Sequence, residues 1–184
     1  MKTLRCFLSL LFFLLPVPAF PADVTLFGGV QHQGKLTFQS AVQSGANLTF
    51  NPKNFGVFGL RSSQGRVIGT EHTLAYVPNF IDSQTKAVIY NSNLIVHAPL
   101  TKVRPYGTAG LGSIFSFGNG PGDIGTKFAI NYGGGLKILP AGPVGIRFDV
   151  RGYAIPRVKV SSPTSIQSQT LNMIEASVGV IFSY

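Results

Sequence analysis

Cysteine, acidic residues and long apolar runs are all scarce here, and each shortage excludes something. The single cysteine of the 184 residues is Cys6, so no disulfide framework can staple the rest of the chain. A cysteine-free exported chain must be stabilised by a good core or by closure of its hydrogen-bonding network. Only six Asp and Glu stand against 15 Lys and Arg, a formal net charge of +9. A basic balance of that kind suits a polyanionic neighbour, either nucleic acid or an anionic membrane surface. After the first residues, polar or charged side chains interrupt every apolar stretch well before 18 residues, which excludes a spanning helix. Ala, Leu and Glu are too sparse for a helical protein, while the 22 glycines suit an all-β fold.

The chain opens with MKTLRCFLSLLFFLLPVPAFPAD. Lys2 and Arg5 precede an apolar run from Cys6 to Leu15, and Pro16, Pro18 and small residues follow. This is the pattern of a cleavable Sec-type signal peptide, too short in its apolar part to span a bilayer. Cleavage after Ala19 or after Ala22 both fit; taking the second, residues 1–22 are the leader and 23–184 form one domain. Export, and the lack of a recognition helix, argue against nucleic acid as the partner.

Eight runs with period-two character follow, at 23–33, 53–62, 66–77, 84–97, 103–116, 126–139, 143–155 and 170–184. Short connections (63–65, 98–102, 140–142) alternate with segments that are mostly longer (34–52, 78–83, 117–125, 156–169). An up-and-down meander whose two ends face different surroundings has this rhythm. Within 34–52, the pieces 36–39 and 46–50 are read as extensions of the first two strands.

The alternation assigns faces. In VGIRFDVRGY (144–153), Arg147, Asp149 and Arg151 oppose Ile146, Phe148 and Val150. The charged faces of several runs also hold glycines, as in NYGGGLKI (131–138), where Gly133 and Gly135 share a face with Lys137. Bulky polar side chains in a crowded interior need such room; a solvated face does not. The apolar faces are broad and carry aromatic residues near their ends, as a lipid-facing band does. Only a closed barrel lets β structure cross lipid, because no backbone edge can stay unpaired there. The expectation is an all-β fold: an eight-stranded antiparallel up-and-down transmembrane β-barrel, preceded by a cleavable signal peptide.

RPYGTAGLG (104–112), NYGGGLKI (131–138), GIRFDVRGY (145–153) and the terminal VGVIFSY (178–184) resemble the small outer-membrane β-barrel family, the OmpA/OmpX-like domains of Gram-negative-type bacteria. The resemblance implies a barrel with both ends in the periplasm, long segments outside, and location in the cell outer membrane. It also implies contact with the barrel-assembly machinery during biogenesis. Val178, Val180, Phe182 and Tyr184 resemble that family's assembly signal, with Tyr where Phe is commoner.

An eight-stranded barrel is only wide enough for its own side chains to fill. Arg147, Asp149, Arg151, Glu71, Glu175, Lys127 and Lys137 are therefore expected to form an interior polar network, with Arg151 near Glu175, in a filled polar lumen without a wide pore. A narrow ion or proton path through that network is the alternative. Lys35, Lys53, Lys86, Arg157 and Lys159 are candidate contacts to anionic glycolipid head groups. No cofactor or metal is expected, because no metal-ligand spacing occurs. GNGPGD (118–123) lacks the Lys-Ser/Thr ending of a phosphate loop.

The function expected is structural or surface-interactive, without catalysis, presenting four extracellular loops to lipid or to an extracellular ligand or protein. One alternative is a lipid A-modifying barrel enzyme of the acyl hydrolase type. None of His32, His72 and His97 has a serine two positions away on its own strand face, and Glu71 and His72 must point to opposite faces. The other alternative is a soluble secreted barrel that binds a small apolar ligand.

Overall fold

The computed structural model describes residues 22–34, 36–39, 47–50, 54–81, 83–119, 123–140, 142–162 and 165–184. The expected leader lies outside them. Ten strands occur in chain order: β1 (Ala22–Gln33), β2 (Leu36–Gln39), β3 (Asn47–Phe50), β4 (Asn54–Gln64), β5 (Ile68–Val77), β6 (Thr85–His97), β7 (Val103–Gly118), β8 (Thr126–Ile138), β9 (Val144–Ser162) and β10 (Ser165–Ser183). Eight of them close into a barrel in the order β1-β10-β9-β8-β7-β6-β5-β4. Every neighbouring pair is antiparallel. The ring closes where β1 pairs with both β10 and β4, so no strand of the barrel keeps an open edge.

β2 and β3 form a separate two-stranded ribbon after β1, close to the expected extensions. The segment 156–169, expected as a loop, is largely strand. β9 and β10 continue past their last pairing with other strands into a projecting hairpin that reaches Ser162↔Ser165, with a register shift between Gln169 and Leu171. VKVSS and SIQSQT are short alternating stretches of β-branched and polar residues, and pairing with each other satisfies their backbones.

The wet side of VGIRFDVRGY is now plain. Arg147, Asp149 and Arg151 are 0%, 3% and 0% exposed, whereas Ile146, Phe148 and Val150 are 47%, 47% and 58% exposed. The same parity runs round the barrel: Leu26, Phe58, Leu74, Leu94, Leu111 and Tyr132 all face outward. Apolar outside and charged inside is the inverse of a soluble barrel, and a lipid surround is the environment that satisfies it. Glycines make the interior fit. A Cβ on Gly135 would lie 2.8 Å from Cζ of Tyr106, and one on Gly133 would lie 3.1 Å from Cγ of Arg151.

The lumen differs from the expectation in one respect: it is not polar throughout. Let the near end be the one holding Ala22 and Tyr184. The inward residues toward that end are mostly charged or polar, with Ile95, Tyr106 and Ile181 among them. Toward the far end Phe55, Val57, Ile89, Ile114, Ile155, Leu171 and Met173 form a buried apolar cluster, with the polar Gln33, Thr85 and Ser116 buried beside them. Apolar side chains therefore face inward as well as outward on the far half, which period-two reading of charged positions could not show.

Val150→Arg places a guanidinium in the outward belt and is expected to lower unfolding stability in lipid vesicles by about 2–4 kcal/mol. A change within about 0.5 kcal/mol, typical of a solvated surface, would contradict the lipid-facing assignment.

Candidate functional site

The near half of the lumen holds three guanidinium groups and three carboxylates on four strands: Arg61 of β4, Glu71 of β5, Arg147, Asp149 and Arg151 of β9, and Glu175 of β10. Alternation delivers them. Arg147, Asp149 and Arg151 occupy every second position of β9 and so enter the lumen one above another. Asp149 sits among all three arginines. Its Oδ2 lies 2.8 Å from Nη1 of Arg61 and 2.6 Å from Nε of Arg147, and its Oδ1 lies 3.0 Å from Nη2 of Arg151. Glu71 bridges two of them, accepting from Nη2 of Arg147 and of Arg151 at 2.5 Å each. Glu175 pairs with Nη2 of Arg61 and also accepts from Nε2 of Gln31 at 3.0 Å and from the Tyr153 hydroxyl at 3.1 Å. Aromatic rings complete the packing. The Arg61 guanidinium lies 3.7 Å over the Phe27 ring, and that of Arg147 lies 4.6 Å over Tyr106, whose hydroxyl accepts from its Nε at 2.9 Å.

Charge neutrality is what makes this arrangement tolerable. An unpaired buried ion is far costlier than a paired one, and here every charge is countered in place. A second, smaller cluster lies nearer the chain ends: Nζ of Lys137 donates to Asp23 at 2.7 Å and to the Ser63 hydroxyl at 3.0 Å.

Of the seven expected interior residues, Arg147, Asp149, Arg151, Glu71 and Glu175 meet in the central network, and Lys137 is buried in the adjoining cluster. Lys127 shares the inward parity of Ala129 but stands near the start of β8, at the mouth, and is only half-buried. It does not reach the network. Arg151 and Glu175 are backbone partners, as expected from the antiparallel register. Their side chains nevertheless pair elsewhere, Arg151 with Glu71 and Asp149, Glu175 with Arg61. The expectation missed Arg61, because KNFGVFGLRS reads as an apolar run whose last positions turn polar. The signal was its parity with Gly59 and Ser63.

His72 faces outward while Glu71 faces inward. His72 Nδ1 is 3.1 Å from the Tyr90 hydroxyl, and Ser62 and Ser92 are its register partners across the flanking strands. Among the described residues no hydrogen bond joins the His72 ring to a carboxylate, the orienting acid that a hydrolytic triad needs. His32 is exposed and pairs with Asn54, and His97 is buried near the chain ends. Val178, Val180, Phe182 and Tyr184 all face outward, in one row on β10 and just beyond it. Lys86 is exposed near the start of β6. Lys35 and Lys53 lie outside the described residues, as do the side chains of Arg157 and Lys159.

The closed barrel has counterparts among solved structures. The fold is that of the small outer-membrane β-barrels. Neisserial surface protein A is similar with a TM-score of 0.63 at 12% identity, over 89% of this chain and 97% of that one. OprG from Pseudomonas aeruginosa is similar at 0.55 and 11% identity, over 90% and 96%. The N-terminal barrel domain of OprF from the same organism is similar at 0.54 and 14% identity, over 89% and 97%. No protein-family profile matches the sequence, and no curated protein resembles it closely enough to match.

Asp149→Asn leaves three buried guanidinium groups short of one negative charge and is expected to cost about 3–5 kcal/mol of unfolding stability in vesicles. Adding Arg151→Met to that variant restores neutrality and should recover part of the loss. A cost below about 1 kcal/mol for Asp149→Asn would show that the carboxylate is not holding the three arginines.

Proposed function

We propose that this protein is an outer-membrane barrel whose role is structural and surface-interactive: a rigid closed scaffold that presents its connecting segments to the exterior, without catalysis. The observation that carries this reading is the filled lumen inside an apolar outer belt. Interlocked ion pairs occupy the near half and packed apolar side chains the far half, so the barrel offers rigidity in place of a pore. Both described chain ends lie at one end of the barrel. For an exported chain that end is periplasmic, and the β1–β4 connection, the β5–β6 and β7–β8 loops and the β9–β10 hairpin then face outward. The partners that fit are outer-membrane lipids, the assembly machinery during biogenesis, and an extracellular ligand or protein met by those segments. Anionic glycolipid suits the basic charge of the chain and the exposed Lys86 at the outer rim.

Two single-cysteine variants test the orientation. On intact cells a membrane-impermeant maleimide should label Lys86→Cys and leave Thr101→Cys, in the exposed turn at the opposite end, unlabelled. The reverse pattern would overturn the display reading.

The β7–β8 loop has its own internal order. The Asp123 carboxylate accepts from the Ser116 hydroxyl at 2.7 Å and from the Gly125 N–H at 2.9 Å, and the Ile124 N–H donates to the same hydroxyl at 2.8 Å. The bonds that Asp123 itself accepts, the one from Ser116 foremost, hold its carboxyl below its ordinary value. A lowered folded-state value means that the carboxylate favours the ordered loop. That contribution is complete above the ordinary value of about 4 and is lost as pH falls through the lower folded one. Amide exchange at Ile124 and Gly125, corrected for its intrinsic pH dependence, should therefore rise below about pH 4. Asp123→Asn should flatten that dependence, and a profile identical in both proteins would refute the link.

A further inference from the structure

The near mouth of the barrel is basic, and one of its guanidinium groups has no counter-charge. Arg104 of β7, Lys137 of β8 and Arg147 of β9 stand opposite one another in one row across three strands. Like charges so placed repel. Lys137 is countered by Asp23, and Arg147 by Glu71 and Asp149. Arg104 has no ion pair among the described residues. Its Nε donates to the Leu100 carbonyl at 2.8 Å, which holds the guanidinium in place, and neither Nη makes a hydrogen bond to a described residue. The sequence offers no side-chain carboxylate to counter it. Of the chain's six acidic residues, Glu71, Asp149 and Glu175 are engaged in the central network and Asp23 with Lys137, while Asp82 and Asp123 belong to connections at the far end. Arg66, between β4 and β5, and Lys102, between β6 and β7, are two more exposed cations at the near end. Even set against a terminal carboxylate at Tyr184, Arg66, Lys102 and Arg104 leave this mouth with a positive excess.

These groups surround a cavity of about 570 Å³, lined by Arg66, His97, Thr101, Arg104, Leu139 and Tyr184 among others. Its wall draws on the strand connections of this end and on both described chain ends, so it opens along the barrel axis and not on the lipid belt. Backbone bonds tie the wall together: the Leu139 N–H donates to the Lys102 carbonyl and the His97 N–H to the Val67 carbonyl, at 2.7 Å each, and the Tyr184 N–H donates to the Ala22 carbonyl at 3.2 Å. His97 is 5% exposed, and its Nδ1 has no hydrogen-bond partner. A buried polar atom of that kind calls for an explanation. We propose that this vestibule binds a small soluble molecule bearing a phosphate group, held by Arg104 and Arg66, with its apolar part against Leu139 and Tyr184. Guanidinium groups give parallel N–H bonds to a phosphate, which offers more oxygens and more charge than a carboxylate. The His97 ring at the wall is a further donor, since either of its nitrogens can carry the proton. A cleft with low-dielectric sides focuses the field of its charges and concentrates anions within it. The cavity far exceeds a bare phosphate in volume, which favours a ligand with a ring or short chain attached. The site lies at the end opposite the displayed segments, so it goes beyond the display role and does not rest on it.

Phenyl phosphate, titrated at constant ionic strength into the protein in phosphatidylcholine nanodiscs and followed by ¹⁵N NMR, tests it. The Arg104 Nε signal and the backbone amides of Arg66 and Thr101 should shift saturably. Inorganic phosphate should shift the same signals at higher concentration, and phenol should leave them in place. Arg104→Gln should weaken phenyl phosphate binding by about tenfold, the loss of a hydrogen-bonded charge. Arg66→Gln, in an exposed turn, should weaken it several-fold. Lys127→Gln, which removes a positive charge at the opposite mouth, should leave it unchanged. Wild-type signals that move without saturating would overturn the site. An equal loss in Arg104→Gln and Lys127→Gln would do the same, because net charge would then account for the binding. A lipid head group as the occupant would give these shifts with phosphatidylglycerol in the nanodisc and no phosphate added, and that result would overturn the soluble ligand. The wild-type titration and Arg66→Gln decide the matter should Arg104→Gln fail to fold.

Discussion

Buried charge has to be countered where it stands, and the rest of this molecule is arranged so that it can be. Six ionised groups share the near half of a narrow lumen, and Asp149 alone touches three guanidinium groups. Four strands contribute to the set, so the ions pair only when β4, β5, β9 and β10 are in register within a closed ring. Closure in turn satisfies every ladder of the sheet, which lipid demands because it offers no alternative partner for a backbone amide. The inward glycines follow from the same requirement, since Tyr106 and Arg151 fill space that a Cβ at Gly135 or Gly133 would take. Ion pairs of this kind contribute little net stability against an apolar filling; their effect is to penalise any register that separates them.

The two halves of the lumen then divide the work. Charges toward the chain ends fix the geometry of the ring. Apolar side chains toward the other mouth need a cover, and the β5–β6 loop supplies it with buried Phe80 and Ile81, at the expense of a left-handed φ at Ile81. A barrel filled only with charges would need no such lid.

Much of this was legible in the sequence, for a definite reason. Strand alternation is strictly two-fold, so a charge at one position of β9 fixes the face of the whole strand. That is why Arg147, Asp149 and Arg151 could be placed inside. Which side chain pairs with which is set by long flexible arms crossing a lumen, and parity does not carry that information. Arg151 and Glu175 face each other on the backbone yet choose other partners. Arg61 escaped notice because its run begins with inward Phe55 and Val57, and a strand whose inner face is half apolar has no clean alternation to read. Lys127 had the right parity but the wrong height, and height along the barrel depends on the stagger between strands. The hairpin at 156–169 was hidden because its two arms satisfy one another, so neither needs the composition of a barrel strand.

The central claim is that lipid meets the apolar face of VGIRFDVRGY while its charges are sealed inside. Spin labels placed singly at Val144, Ile146, Phe148 and Val150 in vesicles measure this directly, through their relaxation by oxygen and by a water-soluble nickel chelate. All four should show high oxygen and low nickel accessibility, with the oxygen advantage greatest at the sites nearest the bilayer centre. High nickel accessibility at Ile146, Phe148 and Val150 would mean that this face is wet, and the membrane-barrel account would fail.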